Sequence, residues 1–435
     1  MFKKLILCIF FVSTLLSDTF QNINIEGLSS KRVLSATQDS SGFVWIGTDE
    51  GLNRFDGYLN KTYRSNVYKE NTLSGNRIWI SYIDRNNTLW IGTDRGICYY
   101  NENEDEFTRI ETRSKPLHIT EDESSVYFTT TSKGVVQVSK ETKEISFYQF
   151  DPLDPFSLSS SRFSDLQTNP IAKDKDYLWV GTTNGLNQVN IKTGQIKRFY
   201  SGKTDLVKAD SISSVLVTQR GLYVGTTKGL TFLGSEQNEN IKDITDKNVV
   251  ALFEIKEANL VAAVLKDEIQ LLEGIKVVKT INIEKPFTRM VDLKTGQYLF
   301  TSKSHKRTLF LTVENKSINH TKSTVPIKPS CVFVDLEGGI WLAGNKGLLR
   351  AGNTTNPVSV IEGKPIKPGR FSKTKNGLFV LREKQVFKYS INSQETKVTD
   401  LIKITENEKL YVSEDNDMFI YDKAVEKIDK KGNKE

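Results

Sequence analysis

The stretch Trp45-Ile46-Gly47-Thr48, at the start of WIGTDEGLNRFDG (residues 45–57), decides the fold because it is repeated. The same four residues stand 45 positions later at Trp90 to Thr93, within WIGTDRGICYYNE. A period near 40 residues is typical of a chain built from one supersecondary unit, stacked or arranged radially. Looser copies follow as LWVGTTNGLNQVN at 178–190, LYVGTTKGLTFLG at 222–234 and IWLAGNKGLLRAG at 340–352.

The first repeat, from Leu28 to about Tyr63, has the pattern of four short strands. Gly, Asp and Asn separate the apolar runs, and these residues favour tight turns because Gly accepts positive φ and Asp bonds its own downstream backbone. Four short strands joined by tight turns predict a meander, which is one blade of a β-propeller. The predicted strands cover residues 32–38, 43–48, 52–55 and 61–63.

Several positions recur at fixed spacing and are predicted to be structural. An aspartate stands six residues before the tryptophan at Asp39, Asp84 and Asp335, and a glycine stands six residues after it in four repeats. We expect Trp to fill the wedge between neighbouring blades, while Gly and Asp shape the hairpins. These structural positions are Trp45, Gly47, Gly51, Trp90, Gly92, Gly96, Trp179, Gly181, Gly185, Trp341 and Gly347.

The first residues have the pattern of a secretory signal peptide, assigned to 1–17. Lys3 and Lys4 precede a predominantly apolar run of twelve residues, 5–16, which is too short for a stable membrane span. The cleavage site is imperfect, so an uncleaved membrane anchor is the alternative. Nothing downstream has the length to span a membrane, and the net charge of +7 is spread along the chain rather than gathered in a nucleic-acid-binding arm. Cys98 and Cys331 are expected to be buried free thiols.

The sequence offers no recurring chemistry for catalysis. Its three histidines do not recur in the repeats or pair with cysteine at metal-ligand spacing, so neither a metal site nor a cofactor is predicted. The stretch Ser201 to Thr204 is no phosphate loop, because Lys197 stands where that motif needs glycine. The regular acidic residues fall in turns. No catalytic residue is therefore assigned.

A short motif of the form Leu-Ser-small-x-Arg-apolar precedes three of the predicted first strands. Its arginines are Arg32, Arg77 and Arg162. If those strands are innermost, the three guanidinium groups lie at one mouth of the channel and can grip a carboxylate or sulfate. Sugar rings would stack on neighbouring aromatic side chains. The competing interpretation is that the arginines bond carbonyls or acids as repeat structure. The aromatic candidates are Trp79, Tyr82 and Phe163.

With these residues in view, the chain resembles the two-component regulator propeller family. The repeats of that family have the form Asp-x-x-Gly-x-Leu-Trp-Ile-Gly-Thr-x-x-Gly-Leu after a Ser-Leu-Ser-type loop. The first two units match nearly throughout, although Asn87 replaces the turn glycine in the second. The resemblance implies an all-β propeller fold and a periplasmic sensor region of a hybrid histidine kinase. Relatives of this kind commonly carry two seven-bladed propellers, and many recognise oligosaccharides.

About ten repeat units are counted along the chain, each with a central residue in its second strand. Ten exceed the four to eight blades typical of one ring. We therefore expect a first propeller of about seven blades at 18–325, a partial second propeller of about three blades at 326–422, and a charged tail at 423–435. The centres are Trp45, Trp90, Tyr127, Trp179, Tyr223, Val261, Leu299, Trp341, Phe379 and Tyr411.

The leading functional prediction is an exported, non-enzymatic sensor propeller that binds an oligosaccharide or another extracytoplasmic ligand for signal transduction. Its kinase is not part of this sequence. The alternatives are a protein-interaction scaffold in the cell envelope, with envelope proteins or a second copy of the chain as partner, and a propeller-type polysaccharide lyase or hydrolase. The expected location is periplasmic or extracellular, tethered to the inner membrane only if the signal segment is uncleaved. Nucleic acid is excluded as a partner.

Overall fold

The computed structural model describes residues 20–352 apart from 111, 165, 236–240, 295, 315 and 316, and it describes seven strands beyond residue 352. The predicted signal peptide lies outside the described residues. The chain divides into two compact units, Met1–Gly352 and Asn353–Glu435.

The first unit consists of eight four-stranded antiparallel sheets, each of which is one blade. Strand β1 is Gln21–Ile23. The strands of blades 1 to 4 are β2 (Val33–Gln38), β3 (Val44–Thr48), β4 (Leu52–Phe55), β5 (Asn60–Tyr63), β6 (Ile78–Ile83), β7 (Leu89–Thr93), β8 (Ile97–Asn101), β9 (Glu106–Ile110), β10 (Pro116–Glu121), β11 (Ser125–Thr130), β12 (Val135–Ser139), β13 (Ile145–Tyr148), β14 (Ile171–Asp174), β15 (Tyr177–Thr182), β16 (Gly185–Asn190) and β17 (Ile196–Phe199).

Blades 5 to 8 continue the same order, and one short 3₁₀ helix (Lys256–Ala258) interrupts blade 6 after its first strand. Their strands are β18 (Ile212–Thr218), β19 (Gly221–Thr226), β20 (Gly229–Gly234), β21 (Ile241–Thr245), β22 (Val249–Ile255), β23 (Leu260–Leu265), β24 (Glu268–Glu273), β25 (Lys276–Asn282), β26 (Arg289–Asp292), β27 (Gln297–Thr301), β28 (Arg307–Glu314), β29 (Ser317–Thr324), β30 (Pro329–Val334), β31 (Ile340–Gly344) and β32 (Gly347–Ala351).

The ring is closed by the N-terminal strand. Blade 8 takes only three strands from residues 329–351, and β1 supplies its outermost strand by pairing antiparallel with β32. The first strand of every blade contacts the first strands of its two neighbours, blade 8 with blade 1 included. Ser330 Oγ of blade 8 donates to the carbonyl of Val33 in blade 1. The first strands are therefore innermost, as the ligand hypothesis requires.

The closure of the ring changes how the repeats are divided between the first propeller and the segment that follows it. The ten predicted centres all lie on strands of ten different sheets, so the total of about ten units is confirmed. The first ring, however, has eight blades rather than about seven and extends to Ala351 rather than residue 325. The expectation was wrong because a ring of eight is completed by a three-residue strand, Gln21–Ile23, that has no repeat pattern of its own.

Of the three blades expected at 326–422, the one centred on Trp341 is blade 8 of the ring, and beyond residue 352 the structure describes two sheets, of four and three strands, which contain Phe379 and Tyr411. Part of the predicted charged tail at 423–435 is a strand, because Val425–Ile428 pairs with Met418–Tyr421. The strands are β33 (Phe371–Thr374), β34 (Gly377–Arg382), β35 (Gln385–Tyr389), β36 (Glu395–Lys397), β37 (Lys409–Val412), β38 (Met418–Tyr421) and β39 (Val425–Ile428).

The core of the ring lies between the blades. Each pair of neighbouring blades shares a cluster of buried apolar side chains, and the predicted wedge residues sit in these clusters. Trp45 packs with Leu73 and Ile78 of the next blade, and Trp90 packs with Val126 and Phe128. The four repeat tryptophans therefore lie between neighbouring blades. Trp45, Trp90, Trp179 and Trp341 are 1, 0, 4 and 5% exposed.

The glycine of Trp-Ile-Gly-Thr allows the next blade to approach closely. A Cβ on Gly47 would lie 2.6 Å from the side chain of Ile78 in blade 2. A Cβ on Gly92 would lie 2.4 Å from Pro116 in blade 3, and Gly181 faces Ile212 of blade 5 in the same way. These separations are below van der Waals contact, so a side chain at these positions would push the blades apart.

The aspartate six residues before the tryptophan performs two tasks. Asp39 Oδ1 accepts the backbone N–H of Phe43 at 2.9 Å and so closes the hairpin, while its Oδ2 accepts the indole N–H of Trp45 at 2.7 Å. The pairs Asp84–Trp90 and Asp335–Trp341 repeat this bond at 2.8 and 2.7 Å. In the second hairpin Asn87 has φ 62°, a left-handed conformation that Asn tolerates well, which explains why it can replace glycine.

Candidate functional site: the central channel and its mouth

The innermost strands surround a channel that contains a cavity of about 310 Å³. In six blades a β-bulge interrupts the innermost strand near its start, and bulges re-aim side chains locally. Trp79 is the bulged residue of blade 2, and Ser330 is that of blade 8. Both line the cavity. Its wall comes from blades 1, 2, 3, 4, 7 and 8.

On the side of blades 5 and 6, a chain segment crosses the channel. We call residues 166–170, which lead into β14, the plug. Thr168 N–H and Oγ1 donate to the carbonyls of Ser213 and Val250, at 3.1 and 2.9 Å. Asn169 forms a parallel bridge with Ser214, and its side-chain amide donates to the carbonyl of Leu252. The plug therefore binds blades 5 and 6 through their backbones and leaves the cavity to the other six blades.

The Leu-Ser-small-x-Arg motif builds one edge of the ring. The carbonyls of Arg32, Arg77 and Arg162 accept backbone N–H bonds from Asp49, Asp94 and Thr183, which are equivalent turn residues of blades 1, 2 and 4. The serine of each motif bonds the threonine of its own Trp-Ile/Val-Gly-Thr strand; these pairs are Ser29–Thr48, Ser74–Thr93 and Ser159–Thr182, at 2.8 to 3.0 Å. These bonds are made by the serines and by the backbone of the arginines, whereas the competing interpretation concerned the arginine side chains. The motif also places the three arginines at equivalent positions of one edge.

The side chains of the three arginines are exposed at that edge. Arg32 lies 3.8 Å from the carboxylate of Asp49, with 59% of its side chain exposed. An ion pair so open to solvent contributes little to stability, and the guanidinium remains available to a ligand. Arg77 leans on Trp79, with its guanidinium carbon 5.8 Å from the ring centroid.

Trp79 joins the exposed edge to the channel. Lys115 Nζ lies 3.7 Å from the centroid of the Trp79 ring, and the guanidinium of Arg77 lies over the same ring. Its indole N–H is buried without a hydrogen-bond partner in the described part of the chain. The Trp79 ring with two cations against it, beside an opening, suits a ligand whose own ring has an apolar face and carries an anionic group.

The other two aromatic candidates lie elsewhere. Tyr82 lies three residues further along β6, or roughly 10 Å down the channel at about 3.3 Å per residue. Its hydroxyl donates to Glu121 at 2.7 Å, and burial together with this bond raises its pKa. Phe163 is 6% exposed and belongs to the cluster between blades 3 and 4, so its ring is closed to a ligand. Of the three, only Trp79 lies beside a candidate arginine.

Sequence reasoning missed the most unusual group in the channel, Arg289. In the sheet of blade 7, Arg289 is the strand partner of Thr301, which stands two residues after the wedge position Leu299. In blade 1, Ser35 has the equivalent position, because its strand partner Gly47 stands two residues after Trp45. Arg289 therefore lies at the level of Ser35 and lines the cavity. Burial lowers its pKa, whereas the nearby Cys331 raises it. Blade 7 has lost the Trp and Gly of the repeat, so no sequence signal set its register.

The cysteines and the potential metal ligands of the described residues do not form a cluster. Cys98 is buried as predicted, whereas Cys331 is half-buried because it lines the channel, and both are free. Among the residues that the structure describes, no group of three His, Cys, Asp or Glu side chains could hold a metal ion. No helix in that part of the chain has the length and apolar character needed to cross a membrane.

Two loops lie at the same edge of the ring as Arg32, Arg77 and Arg162. They cover residues 66–72 and 151–157, before the Leu-Ser of blades 2 and 4. Arg109 donates to the carbonyls of Asn66, Lys69 and Thr72 at 2.8 to 2.9 Å, and Arg198 makes matching bonds in the second loop. Their apolar tips, Tyr68 and Leu153, are 94 and 91% exposed.

Comparison with known proteins supports the family resemblance in the first two repeats. Residues 27–50 and 72–95 match the model of the two component regulator propeller family, so these repeats are of that type, as the sequence predicted. A segment of 50 residues, 12% of this chain, is 44% identical to histidine kinase P4 of Formosa agariphila, of which it covers 4%.

Solved structures extend the comparison beyond the first two repeats. The extracellular domain assigned to the one-component system BT4673 of B. thetaiotaomicron is 19% identical, with a TM-score of 0.47; 95% of this chain and 52% of that one are covered. The computationally designed protein Ika8 is 10% identical with a TM-score of 0.56, covering 76% of this chain and 99% of its own. At this identity the likeness is one of fold. The chain spans about half the length of the BT4673 extracellular domain.

Proposed function

We propose that this protein is an exported sensor propeller that recognises an oligosaccharide, or a similar extracytoplasmic ligand, at the edge formed by the Leu-Ser-small-x-Arg motifs. The observation that supports this best is the aromatic ring of Trp79 with Arg77 and Lys115 against it, at the mouth of the channel. Sugars bind proteins by stacking on aromatic rings, and guanidinium groups grip carboxylates or sulfates.

The resemblance of the first two repeats to two-component regulators supports the sensing role. In that role the ligand signal passes to a partner that carries out the signalling chemistry. We therefore propose an extracytoplasmic location and no enzymatic activity of this propeller itself. The exposed arginines at the edge, Arg32 and Arg162 beside Arg77, favour an acidic rather than a neutral glycan.

A glycan array with the purified protein tests the proposal. We expect binding to uronic-acid-containing or sulfated oligosaccharides, and Arg77→Ala should weaken it about tenfold or more because a charge-assisted bond is lost. Arg85→Ala is the matched control, since Arg85 lies on the same blade at the end of β6 away from Arg77, 3.8 Å from Glu121. Unchanged glycan binding by folded Arg77→Ala would contradict the proposed site.

The exposed tips Tyr68 and Leu153 favour a second candidate, an interaction scaffold. Both tips stand on loops that are anchored by arginines, so they present apolar surface at little entropic cost. Pulldown from an envelope extract, compared with a Tyr68→Ser and Leu153→Ser double variant, distinguishes this function. A partner retained by the wild type alone supports the scaffold. A glycan signal that the double variant retains supports the sensor.

A further inference from the structure

A second binding site is indicated inside the channel, below the mouth. The cavity of about 310 Å³ falls at the lower end of the range for ligand pockets, and it is several times larger than one water requires. Its wall is polar, with hydroxyl groups from Ser35, Ser81 and Ser330 and the carboxamide of Asn169. Such a space suits a small hydrophilic molecule.

One charged side chain lines this cavity, and it has no counter-charge. Among the residues that the structure describes, the lining contains Arg289 but neither an aspartate nor a glutamate. No described carboxylate pairs with its guanidinium, and the nearest titratable group that acts on it is the thiol of Cys331. That thiol is itself engaged, since Sγ donates to the carbonyl of Ala36 at 3.2 Å.

A guanidinium removed from bulk water without a partner is costly, because its five N–H donors and its positive charge both need compensation. Arginines in folded proteins are therefore usually paired or exposed. Arg289 is half-buried at the wall of the cavity and has no carboxylate partner among the described residues, and it stays protonated because a guanidinium does not lose its proton in proteins. The most economical explanation is that its partner is a ligand.

We propose that the channel binds a small, singly charged oxyanion, carried on a hydroxylated molecule of about one sugar ring, with Arg289 as the anion-binding residue. A planar carboxylate or a sulfate ester matches the guanidinium in a two-point contact, and one negative charge balances one positive charge. The serine hydroxyls and Asn169 face the rest of the molecule. Trp79 borders both this cavity and the outer edge, but Arg289 lines the cavity and the edge arginines do not, so variants of Arg289 and of Arg32 distinguish the two sites.

Trp79 provides the readout. It lines the cavity, whereas the other four of the five tryptophans are buried between blades. We would titrate the purified protein with D-glucuronate, methyl sulfate, acetate and D-glucose at constant ionic strength, following indole fluorescence and heat of binding. Glucuronate should bind, glucose should not, and acetate should bind more weakly than glucuronate. A stronger response to methyl sulfate than to acetate would identify sulfate as the preferred anion. Trp79→Phe should remove the fluorescence change.

Arg289→Gln should weaken glucuronate binding about tenfold or more, since charge-assisted bonds are lost, while Arg32→Gln at the outer edge should leave it unchanged. Arg289→Met is the second variant: because none of the described residues forms an ion pair with Arg289, its unfolding midpoint should equal or exceed that of the wild type. Equal glucuronate affinity in the wild type and Arg289→Gln, absence of any anion binding to the wild type, or marked destabilisation by Arg289→Met would each overturn the proposal.

Discussion

Asp39 and Trp45 are joined by a hydrogen bond of 2.7 Å from the indole N–H to a carboxylate that also caps the preceding hairpin. One side chain therefore couples the turn of a blade to the wedge that separates it from the next blade. The bond recurs in blades 2 and 8. It is missing in blade 4, where Lys173 stands six residues before Trp179 and the indole N–H is buried without a partner.

This difference predicts unequal effects of Trp→Phe. Trp45→Phe should destabilise the propeller by about 1–3 kcal/mol more than Trp179→Phe, because it leaves a buried carboxylate oxygen of Asp39 unsatisfied. Urea unfolding of the two variants measures the difference. A double-mutant cycle with Asp39→Ala isolates the hydrogen bond. Equal destabilisation by the two Trp variants would show that the bond contributes nothing.

The close approach of blades at Gly47 predicts a steric effect. Gly47→Ala should destabilise by about 1–3 kcal/mol, because the new methyl group meets Ile78 and Ser35 within 3 Å. Gly234→Ala is the control, since Gly234 also lies in a strand and its Cβ would have a single neighbour at 3.8 Å. We expect the control to be neutral within about 0.5 kcal/mol in thermal unfolding. The idea fails if both variants behave alike.

The Asp105 carboxylate predicts a pH effect between blades 1 and 2. Burial by itself raises its pKa, but hydrogen bonds from Lys61, Tyr100 and Tyr63 outweigh burial and lower the pKa to about 2. The unfolded value is about 3.9. The carboxylate therefore stabilises the fold above about pH 4, and this contribution is lost as the pH falls towards 2.

Asp105→Asn should reduce the slope of stability against pH in this window, since the amide does not titrate. Urea midpoints between pH 2 and 5 measure the slope, and Glu102→Gln on the same turn is an exposed control. The effect is expected to be modest, because 36% of the Asp105 side chain is exposed and solvent screens its pairs. An unaltered slope in Asp105→Asn would refute the assignment.

Arg109 and Arg198 each anchor one loop, so a substitution of either arginine should speed proteolysis of its own loop only. Arg109→Lys keeps the charge but loses the fork that holds three carbonyls, so the loop at 66–72 should open and be cut sooner after Tyr68 or Lys69. Arg198→Lys should do the same for the loop at 151–157 only. Trypsin and chymotrypsin digestion with mass spectrometry locates the cuts. Faster cleavage of both loops in either variant would mean that the substitution had destabilised the blades rather than one loop.

Much of the fold could be predicted from local pattern. The Trp-Ile-Gly-Thr copies identified strands and wedge residues, because turn chemistry and interblade packing act on each repeat separately. The number of blades in the ring could not be predicted, since it depends on pairing between Asn22 and Leu349, which local sequence does not encode. The three arginines occupy equivalent positions of blades 1, 2 and 4, and their role in ligand binding stays a prediction. Phe163 was misjudged because its position is that of the buried Val33 and Ile78.

Arg289 shows why the channel was hidden from sequence reasoning. Its significance depends on what surrounds it, and its neighbours come from blade 8, blade 1 and the plug, all distant along the chain. An arginine at the start of an unremarkable strand carries no sign of being without an acidic partner. Only the assembled ring shows that the wall of the cavity contains no carboxylate among the described residues.

The strand Gln21–Ile23 has a consequence for biosynthesis. Its partner β32 is made more than 300 residues later, which at about 5–20 residues per second delays their meeting by roughly 15–65 s. Throughout that interval the last blade is unmade, and the leading strand must remain unpaired on the nascent polypeptide. A chaperone that shelters extended segments near the ribosome or the translocation pore would therefore act most usefully on the earliest part of this protein.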